Sequence, residues 1–81
     1  MVICYTLARV QPAKDSIVYN KIKALAEVKE VITTYGEYDI IIKVEVKSLD
    51  HLDEFVFSKL RTIEGVEATT TLIQAGFPKK S

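Results

Sequence analysis

The chain has 81 residues, 48% hydrophobic and 27% charged, with eleven basic and eleven acidic side chains that cancel. That length supports one small domain, the composition is far from a disordered one, and zero net charge supplies no long-range field for nucleic acid or an anionic membrane. One cysteine, Cys4, and one histidine, His51, exclude an internal disulfide and a Cys/His structural metal cluster.

A chain this short buries only roughly 60% of its unfolded surface, so the missing staple points to a partner. No apolar run approaches a membrane span, and no export signal opens the chain. With a free thiol, this places the expected location in the cytoplasm.

The stretch Val2 to Val10 is rich in β-branched and aromatic residues, with both alternating faces largely apolar, which predicts a central strand. Pro12 ends it. Val18, Ile22 and Leu25 then fall on one stripe of an amphipathic helix, opposite Lys21, Lys23 and Glu27. A second strand is predicted from about Lys29 to Tyr35 and a third from Tyr38 to Lys47. Between them, Gly36 and Glu37 fit a two-residue type II′ hairpin turn. In the third strand Ile40, Ile42, Val44 and Val46 form the core face. Ser48 is a helix N-cap, with Leu49, Leu52, Val56 and Leu60 as the buried stripe. A last, threonine-rich strand runs from Val66 to about Gln74, after which Gly76 and Pro78 open a polar tail.

An internal repeat supports this order. Asp15, Ile17, Leu25, Val28, Val31 and Thr34 recur thirty-five positions later as Asp50, Leu52, Leu60, Ile63, Val66 and Thr69. Two strand-helix-strand units joined by a hairpin give an α+β, ferredoxin-like βαββαβ sandwich, an antiparallel sheet with both helices on one face. The uncovered face would then carry Ile41, Ile73 and one of two sets from the first strand: Ile3, Tyr5 and Leu7, or Val2, Cys4 and Ala8. So apolar a face predicts a homodimer by sheet-to-sheet packing, a dimeric α+β barrel.

Catalytic signatures are absent: no G-x-S-x-G, Walker A, H-E-x-x-H or G-x-G-x-x-G occurs. His51 reads as a solvated surface histidine, with a general base as the alternative. Cys4 reads as a small buried hydrophobe. Asp50, Asp53 and Glu54 complement a helix dipole more readily than they hold a metal. No catalytic residue, metal or cofactor is expected.

Two polar stretches stand out. The hairpin Tyr35-Gly36-Glu37-Tyr38-Asp39 is explained by turn chemistry, and Thr69-Thr70-Thr71 by β propensity. The functional alternative is a zwitterion site, with Asp39 facing an ammonium group while amides near Gly36 and a threonine hydroxyl receive a carboxylate. Alternation allows Asp39, Thr69 and Thr71 to share the helix-free face, in one subunit or across two.

These residues carry a resemblance. The spacing Val28-x-x-Val31, the G-x-Y-D of Gly36, Tyr38 and Asp39, Leu52-x-x-Phe55-Val56, and G-V-x-x-T-x-T at Gly65, Val66, Thr69 and Thr71 resemble the effector-binding (RAM) domain of the Lrp/AsnC feast/famine regulators. The resemblance implies a RAM domain over residues 1–76 with a polar tail at 77–81, pairing through the sheets, and rings of commonly four dimers. It also implies a small amino acid effector bound between dimers by Tyr35, Gly36, Tyr38 and Asp39, with Thr69 and Thr71 added from the last strand.

Full-length members carry an N-terminal helix-turn-helix domain, whereas here the first strand begins at Val2. The expectation is therefore a stand-alone module that binds no DNA itself and modulates amino acid metabolism or transcription, alone or with full-length Lrp/AsnC regulators. The alternatives are a barrel enzyme using His51 or Tyr35 as acid/base, or a structural partner with an empty pocket. ACT-type sensors share the topology, but the glycine-rich loop they use is missing from Arg9 to Lys14.

Overall fold

Strand β1 (Val2–Val10) alternates between the protein interior and a half-buried or exposed face, with Cys4, Thr6 and Ala8 fully buried. It is followed by helix α1 (Asp15–Lys23), strand β2 (Val28–Thr33) and strand β3 (Ile40–Val46). The second helix, α2 (Leu49–Glu54), runs directly into a π-helical segment (Phe55–Leu60), and strand β4 (Val66–Ile73) closes the order. This computed structural model describes residues 1–75; the expected polar tail lies outside the described residues. The sheet is antiparallel in the order β2-β3-β1-β4, so β1 is central as its two apolar faces required. The βαββαβ topology is that of the ferredoxin-like α+β sandwich.

Ile40, Ile42, Val44 and Val46 pair with Ala8, Thr6, Cys4 and Val2, which places all of these on the helix-covered side. The core is completed by Val18 and Ile22 of α1 and by Leu52, Phe55, Val56 and Leu60 of the second helical stretch. Burial pushes the Cys4 thiol up from its ordinary value, and its Sγ lies 3.7 Å from the Val44 carbonyl. It behaves as a small hydrophobe. The open choice in β1 thus resolves, and Ile3, Tyr5 and Leu7 face away from the helices beside Ile41.

One expectation about this face fails. Register pairs Ala8 with Thr69, Thr6 with Thr71 and Cys4 with Ile73, so Thr69, Thr71 and Ile73 lie on the helix side of the sheet. The helix-free side of β4 instead carries Thr70 and Leu72, opposite Leu7 and Tyr5. Side-chain direction alternates with a period of two, and a run of three threonines has no apolar rhythm to fix its parity.

Ser48 caps α2 as expected, its Oγ accepting from the His51 N–H. Past Glu54 the turns widen: the Arg61 N–H donates to the Val56 carbonyl five residues back at 2.9 Å. Leu52, Phe55, Val56 and Leu60 are buried, whereas Leu49 is 55% exposed and leaves the expected stripe. The sequence repeat also needs adjusting. The turn that closes with Leu25 N–H to Ile22 O and Val28 N–H to Leu25 O recurs as Ile63 N–H to Leu60 O and Val66 N–H to Ile63 O, thirty-eight positions on. The two helix starts, Asp15 and Leu49, lie thirty-four positions apart, and the longer second helical stretch absorbs most of the difference.

Two local features give testable expectations. Ala13 holds the left-handed conformation with φ 73° in the turn between β1 and α1, which costs a non-glycine residue about 1–2 kcal/mol. Glycine would remove that cost but add unfolded-state entropy, so Ala13→Gly should stabilise by about 0.5 kcal/mol in urea denaturation. Lys59 of the π segment donates to Glu27, which precedes β2, and this hydrogen bond holds the Glu27 carboxyl below its usual range. A depressed folded-state pKa contributes stability that is present above the unfolded value and lost as pH falls through the folded one. Acid titration of stability should therefore show a loss through the carboxylate range that Lys59→Met reduces.

Candidate functional site

The β2–β3 hairpin is longer than its sequence implied. Thr34 and Asp39 close it, the Thr34 N–H donating to the Asp39 carbonyl at 2.8 Å and the Thr34 hydroxyl to the Tyr38 carbonyl at 2.7 Å. The loop is therefore the four residues Tyr35 to Tyr38 rather than a two-residue turn, and β3 begins at Ile40 rather than Tyr38. Gly36 adopts φ +128°, a conformation that favours glycine, and a Cβ there would meet open space. Tyr35 is fully exposed at the tip.

Asp39 has a structural task. Its N–H donates to the Ala8 carbonyl at 3.0 Å, and its Oδ2 accepts from the Val10 N–H at 2.8 Å. The carboxylate thus satisfies an amide on β1 where β3 has turned into the loop. The amides of the turn itself are not its partners. The other carboxylate oxygen has no hydrogen-bond partner among the described residues.

Tyr38 leans the other way. Its hydroxyl shares a 2.9 Å hydrogen bond with the Thr70 hydroxyl, and the Arg9 guanidinium lies 5.8 Å from its ring centroid. Arg9 also donates from Nε to the Glu37 carbonyl at 3.2 Å, with Nη2 3.8 Å from Glu37 Oε1. So Tyr35, Gly36, Tyr38 and Asp39 occur together in one hairpin that β1 and β4 grip. Thr70, flanked by the two threonines expected at the site, is the one that touches it. Arg9 and Thr70 were missed because their approach depends on the β1–β4 register, which no local pattern announces.

Thr69 and Thr71 belong elsewhere within the chain. They line a groove of about 320 Å³ between the second helical stretch and β4, together with Asp53, Phe57, Arg61 and Ile73. The spacing of four between Asp53, Phe57 and Arg61 was the available signal for that wall. The Arg61 guanidinium sits 5.3 Å from the Phe57 ring centroid, and the Thr71 hydroxyl lies 3.2 Å from that of buried Thr6. His51 has its Nδ1 2.7 Å from Ser48 Oγ and no titratable hydrogen-bond partner among the described residues. No group of His, Cys, Asp and Glu suited to a metal occurs among the described residues, and none of their helices is long and apolar enough to cross a membrane.

The family model described as the Lrp/AsnC ligand binding domain matches residues 3–81. The chain belongs to the Lrp/AsnC family. Similar proteins include the HTH-type transcriptional regulator FL11 of Pyrococcus furiosus, 35% identical over 72 residues that make up 89% of this chain and 47% of the regulator. The regulatory protein AsnC of Escherichia coli K12 is 37% identical over 71 residues, 86% of this chain and 47% of that protein. This Lrp/AsnC chain thus spans about half the length of the curated relatives it matches. Among solved structures it is similar to FFRP-DM1, with a TM-score of 0.89 and 39% identity over 93% of this chain and all of that one. It is likewise similar to Escherichia coli AsnC, with a TM-score of 0.84 and 34% identity over 99% of this chain and 56% of that one.

Proposed function

We propose that this Lrp/AsnC domain is an amino acid effector module. The hairpin Tyr35–Asp39 takes the α-ammonium and α-carboxylate groups of a small amino acid. The observation that carries this reading is the Asp39 carboxylate, held by the Val10 amide through one oxygen and free of described partners at the other. A fixed, half-committed carboxylate in the same hairpin as the exposed backbone of Gly36 offers an acceptor for ammonium and donors for a carboxylate. Because Thr69 and Thr71 lie on the opposite face from the hairpin's Tyr38–Thr70 contact, they contribute to such a site from a neighbouring copy.

Copies pair through the helix-free face, where Ile32 and Leu72 are about half exposed beside Ile3, Tyr5, Leu7 and Ile41. Such pairs assemble further, to four dimers in a ring, and mix with full-length regulators of the family through the same face. Ligand shifts that assembly by binding one state better than the other. Calorimetric titration with the twenty amino acids tests the effector role: saturable binding of at least one supports it, and silence from all twenty overturns it. Sedimentation tests the pairing, which Ile41→Glu should abolish by placing a charge in the middle of the apolar face. A stable wild-type monomer at micromolar concentration would contradict it.

A further inference from the structure

We infer that Arg9 and Thr70 are positioning residues for the effector hairpin, which they couple to the sheet face on which copies pair. The inference rests on the effector reading above and adds two residues that lie outside the hairpin. The loop from Tyr35 to Tyr38 is closed at its stem by the Thr34–Asp39 pair, and its tip is fully exposed. What holds it laterally is the contact of Tyr38 with Thr70 and the contacts of Arg9 with Glu37 and the Tyr38 ring.

Thr70 stands opposite Leu7 in the β1–β4 register, so it belongs to the helix-free face together with the apolar residues of the proposed pairing surface. The Tyr38 hydroxyl therefore bridges from the β2–β3 loop over β1 to the edge strand β4. In a monomer this hydrogen bond is open to water and individually weak. A second sheet packed on the face excludes that water, which strengthens the bond and holds the hairpin in one arrangement. A hairpin already ordered by pairing binds its effector with less entropic loss, and by linkage the effector tightens pairing to the same degree.

Thr70→Val removes the hydroxyl with little change in shape, on an exposed edge strand where valine is well tolerated. Thr70→Ser keeps the hydroxyl. With whichever amino acid the wild-type chain binds, Thr70→Val should bind about 3- to 10-fold more weakly, the range for one hydrogen bond. It should also lose most of the ligand-induced tightening of self-association seen by sedimentation, and Thr70→Ser should recover both. Wild-type affinity in Thr70→Val, or failure of Thr70→Ser to recover what Thr70→Val loses, would overturn the inference while leaving the effector reading intact. A wild-type chain that binds none of the twenty amino acids would overturn that reading and this inference with it.

Discussion

Gly65→Ala should destabilise the fold by about 2–3 kcal/mol, read as a lower midpoint in urea denaturation at fixed protein concentration. Two costs combine. Gly65 holds φ +106°, which an L side chain rarely adopts, and a Cβ built there would lie 2.8 Å from Val18 Cγ2 and 3.1 Å from Lys14 Cβ. Val18 is fully buried, so it has little freedom to withdraw. The Gly65 carbonyl also accepts from the Gln11 N–H at 2.8 Å, so a shift of this turn would disturb the exit of β1. Gly36→Ala is the internal control. Its φ is equally unfavourable but its surroundings are empty, so the cost should stay near about 1 kcal/mol. A native domain is stable by only about 5–15 kcal/mol, so the difference between the two glycines is measurable and large.

Asp39 separates structure from recognition. Asp39→Ala leaves the half-buried Val10 amide without its acceptor and should cost about 1–3 kcal/mol of stability, besides weakening amino acid binding at least about tenfold. Asp39→Asn keeps an oxygen that can accept from the Val10 N–H but carries no charge. It should therefore cost under about 1 kcal/mol while binding remains about tenfold weaker, because an ammonium group loses its ionic partner. Calorimetry and denaturation on both variants separate the roles. Equal binding by wild type and Asp39→Asn would assign Asp39 to the fold alone.

Much of the fold was legible because its signals are local and repeat. The alternation of Ile40, Ile42, Val44 and Val46 marked one buried face of β3, and Ser48 marked the start of α2. β1 was recognisable as central because both its faces are apolar. What was not legible depended on register. The parity of Thr69, Thr70 and Thr71 is invisible in three like residues, and only pairing with Ala8, Leu7 and Thr6 decides which one faces the helices. The hairpin misled for a related reason. Gly36 followed by Glu37 satisfies a two-residue turn, yet Asp39 is drawn to the Val10 amide on β1 and Tyr38 to Thr70 on β4, so tertiary contacts set the loop length. The π segment likewise answers to packing, since Phe55, Val56 and Leu60 are all turned into the core.

The hairpin stood out in the sequence because the G-x-Y-D of Gly36, Tyr38 and Asp39 resembles the family's pattern and also reads as a turn signal. Arg9 and Thr70 did not, because they reach the hairpin from strands 28 and 32 residues away in sequence. The groove beside Thr69 and Thr71 likewise takes Asp53, Phe57 and Arg61 from a different element, the second helical stretch.

The most direct test is a crystal structure of the protein grown with a saturating amino acid. The effector reading predicts the ligand at the hairpin, its ammonium within hydrogen-bond distance of the Asp39 carboxylate and its carboxylate against the backbone near Gly36. A ligand seated elsewhere, or a hairpin without one at saturation, would contradict it.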